Sequence, residues 1–86
     1  MGVDLETYRL KRGLSYADLA LELGLTQRRQ AMAYALGEIW PKAQRLEQII
    51  RWSDGEVSAD AMHARRMKWL MERRAVPPTR GGAVLA

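Results

Sequence analysis

The chain contains no cysteine and a single histidine, His63. The first absence excludes a disulfide framework and a thiolate-held metal, and one imidazole cannot complete a zinc site by itself. No apolar run approaches the ~20 residues needed to cross a bilayer, and the opening Met1-Gly2-Val3-Asp4 lacks a basic segment followed by an apolar one. Neither a membrane span nor a secretory leader is expected, and the lack of thiols suits a cytoplasmic setting. There is no nucleophile paired with a base and no ligand-spaced cluster. Asp54, Glu56 and Asp60 have the spacing of cap and turn chemistry, so no enzyme activity and no cofactor are expected.

What is present is a chain of 86 residues, 48% of them hydrophobic, enough for one domain with a modest core. Its formal charge of +4 favours an anionic partner without naming it. The distribution is more informative. Arg28 to Arg51 holds five basic residues against two acidic ones, and Arg65 to Arg74 five against one. The chain before Arg28 is slightly negative, and Ser53 to Asp60 is purely acidic. Such segregation produces either a basic face or two solvated helix faces.

Glycine and proline punctuate apolar residues recurring at helical spacing, which predicts four to five helices, no sheet and a compact all-α bundle. The first helix runs from Asp4 to Arg12 with Leu5 and Tyr8 inward, ended by Gly13. Ser15 caps the second, with Asp18 placed to complete a capping box, and Tyr16, Leu19, Ala20 and Leu23 share its inner face. Gly24 closes that helix, Leu25 plugs the core and Thr26 is expected to cap a third helix over 27–36 that packs through Ala31, Met32, Tyr34 and Ala35. Pro41 starts a fourth, with Ala43, Leu46, Ile49 and Ile50 inward. Ser58 caps a fifth extending to Arg74. Residues 1–75 form the domain, and the breaker-rich 76–86 reads as a flexible tail.

Two helices joined by a glycine turn, the second opening on Gln27, Arg28, Arg29 and Gln30, meet the demands of major-groove reading. The groove admits one helix, its N-terminal residues meet base edges, and arginine or glutamine pairs bidentately with guanine or adenine. Consecutive residues fan across a wide arc, so Gln27, Arg28 and one of Arg29 or Gln30 are expected to face the groove, with Arg28 the first choice. Lys42 and Arg45 open the fourth helix at positions suited either to phosphate contact or to a solvated face. Tyr34, Trp40 and Trp52 have the spacing of core residues, and His63 that of a surface histidine.

The run Leu14-Ser15-Tyr16-Ala17-Asp18-Leu19-Ala20-Leu21-Glu22-Leu23-Gly24-Leu25-Thr26 resembles the Cro and lambda-repressor-like helix-turn-helix, an XRE-like family that includes a YdaS-type branch. Tyr34-Ala35-Leu36-Gly37 followed by Pro41 is similar to the close of its recognition helix, and Asp54 to Asp60 to the exit of its short members. The resemblance covers about residues 5 to 62. It implies sequence-specific binding of double-stranded DNA by a regulator, in the first instance a repressor of the phage, mobile-element or toxin-antitoxin kind. Thr26, Gln27, Arg28, Arg29, Gln30, Ala33, Lys42 and Arg45 are then the DNA-facing candidates. The interval from Thr26 to Tyr34 is one residue longer than the family pattern, so either the turn is extended or the helix is rephased, by roughly 100° per residue.

The fifth helix sets Met67, Trp69, Leu70 and Met71 among arginines. That composition is compatible with folding back on the core, with tracking the DNA backbone or with a homodimer seam, the last attractive because paired units read two half-sites. The competing expectation is a helix-turn-helix scaffold that binds a protein partner instead of DNA, as an anti-activator or adaptor.

Overall fold

The computed structural model describes residues 2–75, with side chains to Arg73, as five helices: α1 (Leu5–Arg12), α2 (Tyr16–Leu23), α3 (Arg28–Leu36), α4 (Ala43–Trp52) and α5 (Ala59–Ala75). The expected tail, 76–86, lies outside the described residues. The helix ends are set by short-range chemistry. Asp4 precedes α1, where its Oδ1 accepts the Thr7 amide at 2.7 Å. Ser15 and Asp18 form the expected reciprocal capping box on α2, satisfying two amides that have no helical partner. Ser58 Oγ accepts the Ala61 amide at 3.1 Å at the start of α5.

Two helix starts differ from the sequence expectation. α3 begins at Arg28 with Gln27 at its cap position, so Thr26 does not cap it. α4 begins two residues after Pro41, which is fully buried, with Lys42 extended at the cap position. Packing, not the proline's helix-compatible φ, decides that start. Ala43, now the first residue of the helix, is exposed and not inward, while Leu46 and Ile49 keep the expected inner face.

The core joins Leu5 and Tyr8 of α1, Leu19, Ala20 and Leu23 of α2, Leu25 of the turn, Ala31 and Ala35 of α3, Ile49 of α4, Val57, and Met62 of α5. Each fully buried leucine or isoleucine contributes about 1.5–3 kcal/mol. α3 runs through the centre because its inner side chains are methyl groups, which let α1, α2 and α5 approach it closely. Trp52 packs on this core edge-on to Tyr8 with ring centroids 5.2 Å apart, and its indole donates to Glu22. Val3 and Val57 form one parallel bridge, closed by the Val3 amide on the Glu56 carbonyl at 2.7 Å. No strand occurs among the described residues. Sequence periodicity did not anticipate Val57 in the core, because it sits alone between helices.

An ion-paired network ties α1 to α2. Arg9 grips both Glu6 carboxylate oxygens, at 2.9 and 2.6 Å, donates to the Leu14 carbonyl and lies 4.0 Å from the Tyr16 ring centroid, while Tyr16 donates to Glu6. The hydrogen bonds from Arg9, joined by that from Tyr16, outweigh burial and hold the Glu6 carboxyl below its ordinary value of 4.5. A carboxyl depressed in the folded state stabilises fully above its unfolded value and loses that contribution as pH falls through the folded one. Urea unfolding from pH 7 to 3 should therefore show a shallower acid limb for Glu6→Gln than for the parent chain. Parallel limbs would show that the network contributes nothing.

Among the described residues, the polar anchors of α5 lie in its first half. Arg65 Nε donates to Asp4 Oδ2 at 3.0 Å, and Arg66 Nη1 donates to the Gly37 and Glu38 carbonyls at 3.0 and 2.8 Å, serving the end of α3. These two arginines are structural, so the basic run from Arg65 to Arg74 is not one free cationic face.

Candidate nucleic-acid interface

The five helix N-termini divide into two kinds. α1, α2 and α5 open on side-chain caps and carry Glu6, Asp18 and Asp60 in their first turns. α3 and α4 have no side-chain cap bond and no first-turn acid, and they carry Arg28 and Arg29, and Lys42 and Arg45, instead. Cations at the positive end of a helix dipole are unfavourable by some tenths of a kcal/mol each, and uncapped amides there suit an anion. The two uncapped ends share one side of the molecule: Gln30 of α3 and Lys42, Gln44 and Arg45 of α4 line a single open cleft of about 490 Å³, with Tyr34 and Trp40.

The DNA-facing candidates do not form one row. Thr26, Gln27, Arg29, Gln30 and Ala33 line a second cleft, of about 450 Å³, together with Glu38 and Ile39. Arg28 turns away from it toward the start of α2, where it borders a groove of about 570 Å³ with Ser15, Tyr16, Ala17, Arg29 and Met32. Arg29 therefore joins the two glutamines, and Arg28, the first choice from sequence, does not. Arg29 also lies 3.7 Å from Glu38, a pair too exposed to contribute much. The Gln30 amide donates to the Tyr34 hydroxyl at 3.3 Å, which leaves its carbonyl oxygen and second amide hydrogen without an assigned partner.

Two candidates are constrained by their packing. Ala33 lines the second cleft, but it is only 4% exposed. The chain after Gly37 folds back over it, with the Glu38 and Ile39 amides both donating to the Ala33 carbonyl. Arg45 is half-buried: its Nη1 donates to the Leu23 carbonyl at 2.8 Å and to Gln48, whose amide donates to the same carbonyl. It fastens α4 to the end of α2 and is not a free phosphate ligand through that nitrogen. Lys42 is exposed, beside the uncapped end of α4.

Sequence reasoning missed Ile39 and misplaced Trp40. They are 49% and 39% exposed, outside the core cluster, on the side of the molecule that carries both uncapped helix ends. The available signal was their position in the turn between Gly37 and Pro41, where no helical period gives an apolar residue an inner face. Trp40 meets His63 edge-on at 6.2 Å.

Beyond Arg66, α5 carries Met67 and Met71, 43% and 64% exposed, and Trp69 and Leu70, half-buried. None belongs to the core cluster, and Arg73 lies 4.8 Å from the Trp69 ring centroid.

Among the described residues no group of acidic or histidine side chains could hold a metal, and no helix is long and apolar enough to cross a membrane. Comparison with protein-family models, with curated proteins and with solved structures finds no match.

Proposed function

We propose that this chain is a sequence-specific, double-stranded DNA-binding regulator of helix-turn-helix type. The observation that carries the reading is the pair of uncapped helix N-termini with first-turn cations, which meet at one cleft through Gln30 and Lys42, in a domain whose other helices are capped and acidic at their starts. That arrangement suits a polyanion, and the α2-turn-α3 unit offers Gln27, Arg29 and Gln30 together for base edges. Phosphate contacts fall to Lys42, to the α4 amides and to Arg28 beside the start of α2. Thr26 and Gln27 both precede α3, which supports an extended turn over a rephased helix.

The outer half of α5 completes the reading as a homodimer seam: Met67 and Met71 lie one helical turn apart and exposed, with Trp69 and Leu70 half-buried beside them. A dimer doubles the base contacts that one small domain supplies.

The test is duplex affinity measured against salt, with sedimentation of the complex. Neutralising ~4 to 6 phosphates gives a slope of log affinity against log salt of about −4 to −5. Two chains per duplex are expected. A flat salt response, or no duplex binding at low salt, overturns the proposal in favour of a protein partner; one chain per duplex overturns the dimer alone.

A further inference from the structure

After α3 the chain turns back on itself. The Glu38 and Ile39 amides both donate to the Ala33 carbonyl, at 2.9 and 3.3 Å, which returns Ile39 alongside the helix instead of carrying it away. Its side chain stands between two clefts. One, of about 450 Å³, it shares with Gln27, Arg29 and Gln30; the other, of about 490 Å³, it shares with Gln30, Lys42 and Gln44. Ile39 is thus a half-exposed aliphatic ridge with hydrogen-bonding and cationic side chains on both flanks, and it takes no part in the core cluster.

Whatever enters the first cleft to pair with Gln27, Arg29 or Gln30 meets Ile39 beside them. The major-groove edges of the four bases are almost wholly donors and acceptors, and the one apolar group among them is the 5-methyl of thymine. We infer that Ile39 reads this methyl, a reading that rests on duplex binding and adds the base preference at the α3 end of the site. The neighbouring side chains are consistent with it. A glutamine amide pairs with N6 and N7 of adenine, whose partner is thymine, so Gln27 or Gln30 and Ile39 together recognise an A·T pair from both strands. Cytosine has no methyl at that position, so it makes no such apolar contact with the aliphatic chain.

The test removes one methyl at a time. A site is selected from a random duplex library, and each thymine is then replaced by deoxyuridine, which leaves every donor and acceptor in place. One buried methyl corresponds to about a fourfold change in affinity. That loss is expected at one or two thymines of a half-site and not at the rest. Ile39→Ala should bind more weakly and hold the thymine and deoxyuridine duplexes equally, while Ile39→Val keeps the preference. The half-exposed position leaves the urea midpoint of both variants close to the parent's, so a folding defect is separable from a reading defect. Binding that is insensitive to every replacement, a sensitivity that survives Ile39→Ala, or a selected site without thymine overturns this inference alone. Absence of salt-sensitive duplex binding overturns it together with the DNA reading.

Discussion

Replacing Gly37 by alanine should lower unfolding free energy by about 3 kcal/mol or more, a large share of the roughly 4–13 kcal/mol expected of a domain this size. Two costs combine. The residue sits at φ +87, in the left-handed region, where a side chain costs about 1 kcal/mol or more. An added Cβ would also stand 2.8 Å from Arg66 Cα and 2.9 Å from the Arg65 carbonyl oxygen. Those atoms are backbone, so relief requires moving α5, and overpacking of this kind costs about 1–3 kcal/mol. Gly24 is the control: its φ is +73, but a Cβ there meets nothing within 4 Å. Gly24→Ala should cost about 1 kcal/mol, from backbone strain alone. Urea unfolding of both variants checks the comparison, and equal losses would show that α5 does not press on the end of α3.

The second large effect separates base reading from backbone positioning. Arg29→Ala should cost about 1–3 kcal/mol on the preferred duplex and much less on a scrambled one, because a guanidinium beside Gln27 and Gln30 is placed to hold a guanine edge. Arg28→Ala and Lys42→Ala should weaken both duplexes about equally, each reducing the salt slope by roughly 1, as expected for charges beside phosphates. Affinities of the three variants for cognate and scrambled duplexes at several salt concentrations decide the matter. If Arg28→Ala abolishes discrimination and Arg29→Ala does not, Arg28 is the base reader, as its place in the first turn suggested from sequence. Equal losses on both duplexes for all three variants would leave α3 without a reading role.

The sequence by itself determined the number, order and approximate ends of the helices, and most of the core. These depend on interactions within about four residues: Asp4 on Thr7, Ser15 with Asp18, Ser58 on Ala61, and the apolar spacing of Leu19, Ala20 and Leu23. The candidate site was legible only as a polar, cationic opening of α3. Which of its side chains share a cleft depends on how the turn after Gly37 folds back, which the Glu38 and Ile39 amides set on the Ala33 carbonyl and contacts distant in the chain then hold in place. Arg66 reaches Gly37 and Glu38 across 29 and 28 residues, Arg45 reaches Leu23 across 22, and Arg65 reaches Asp4 across 61. The long-range contacts occupy two of the arginines in the basic run, while the folded-back turn covers Ala33 and leaves Ile39 and Trp40 exposed. Helical period and capping chemistry contain no information about such pairings, because a side chain's local sequence specifies the direction it points from its own helix and not what stands in front of it.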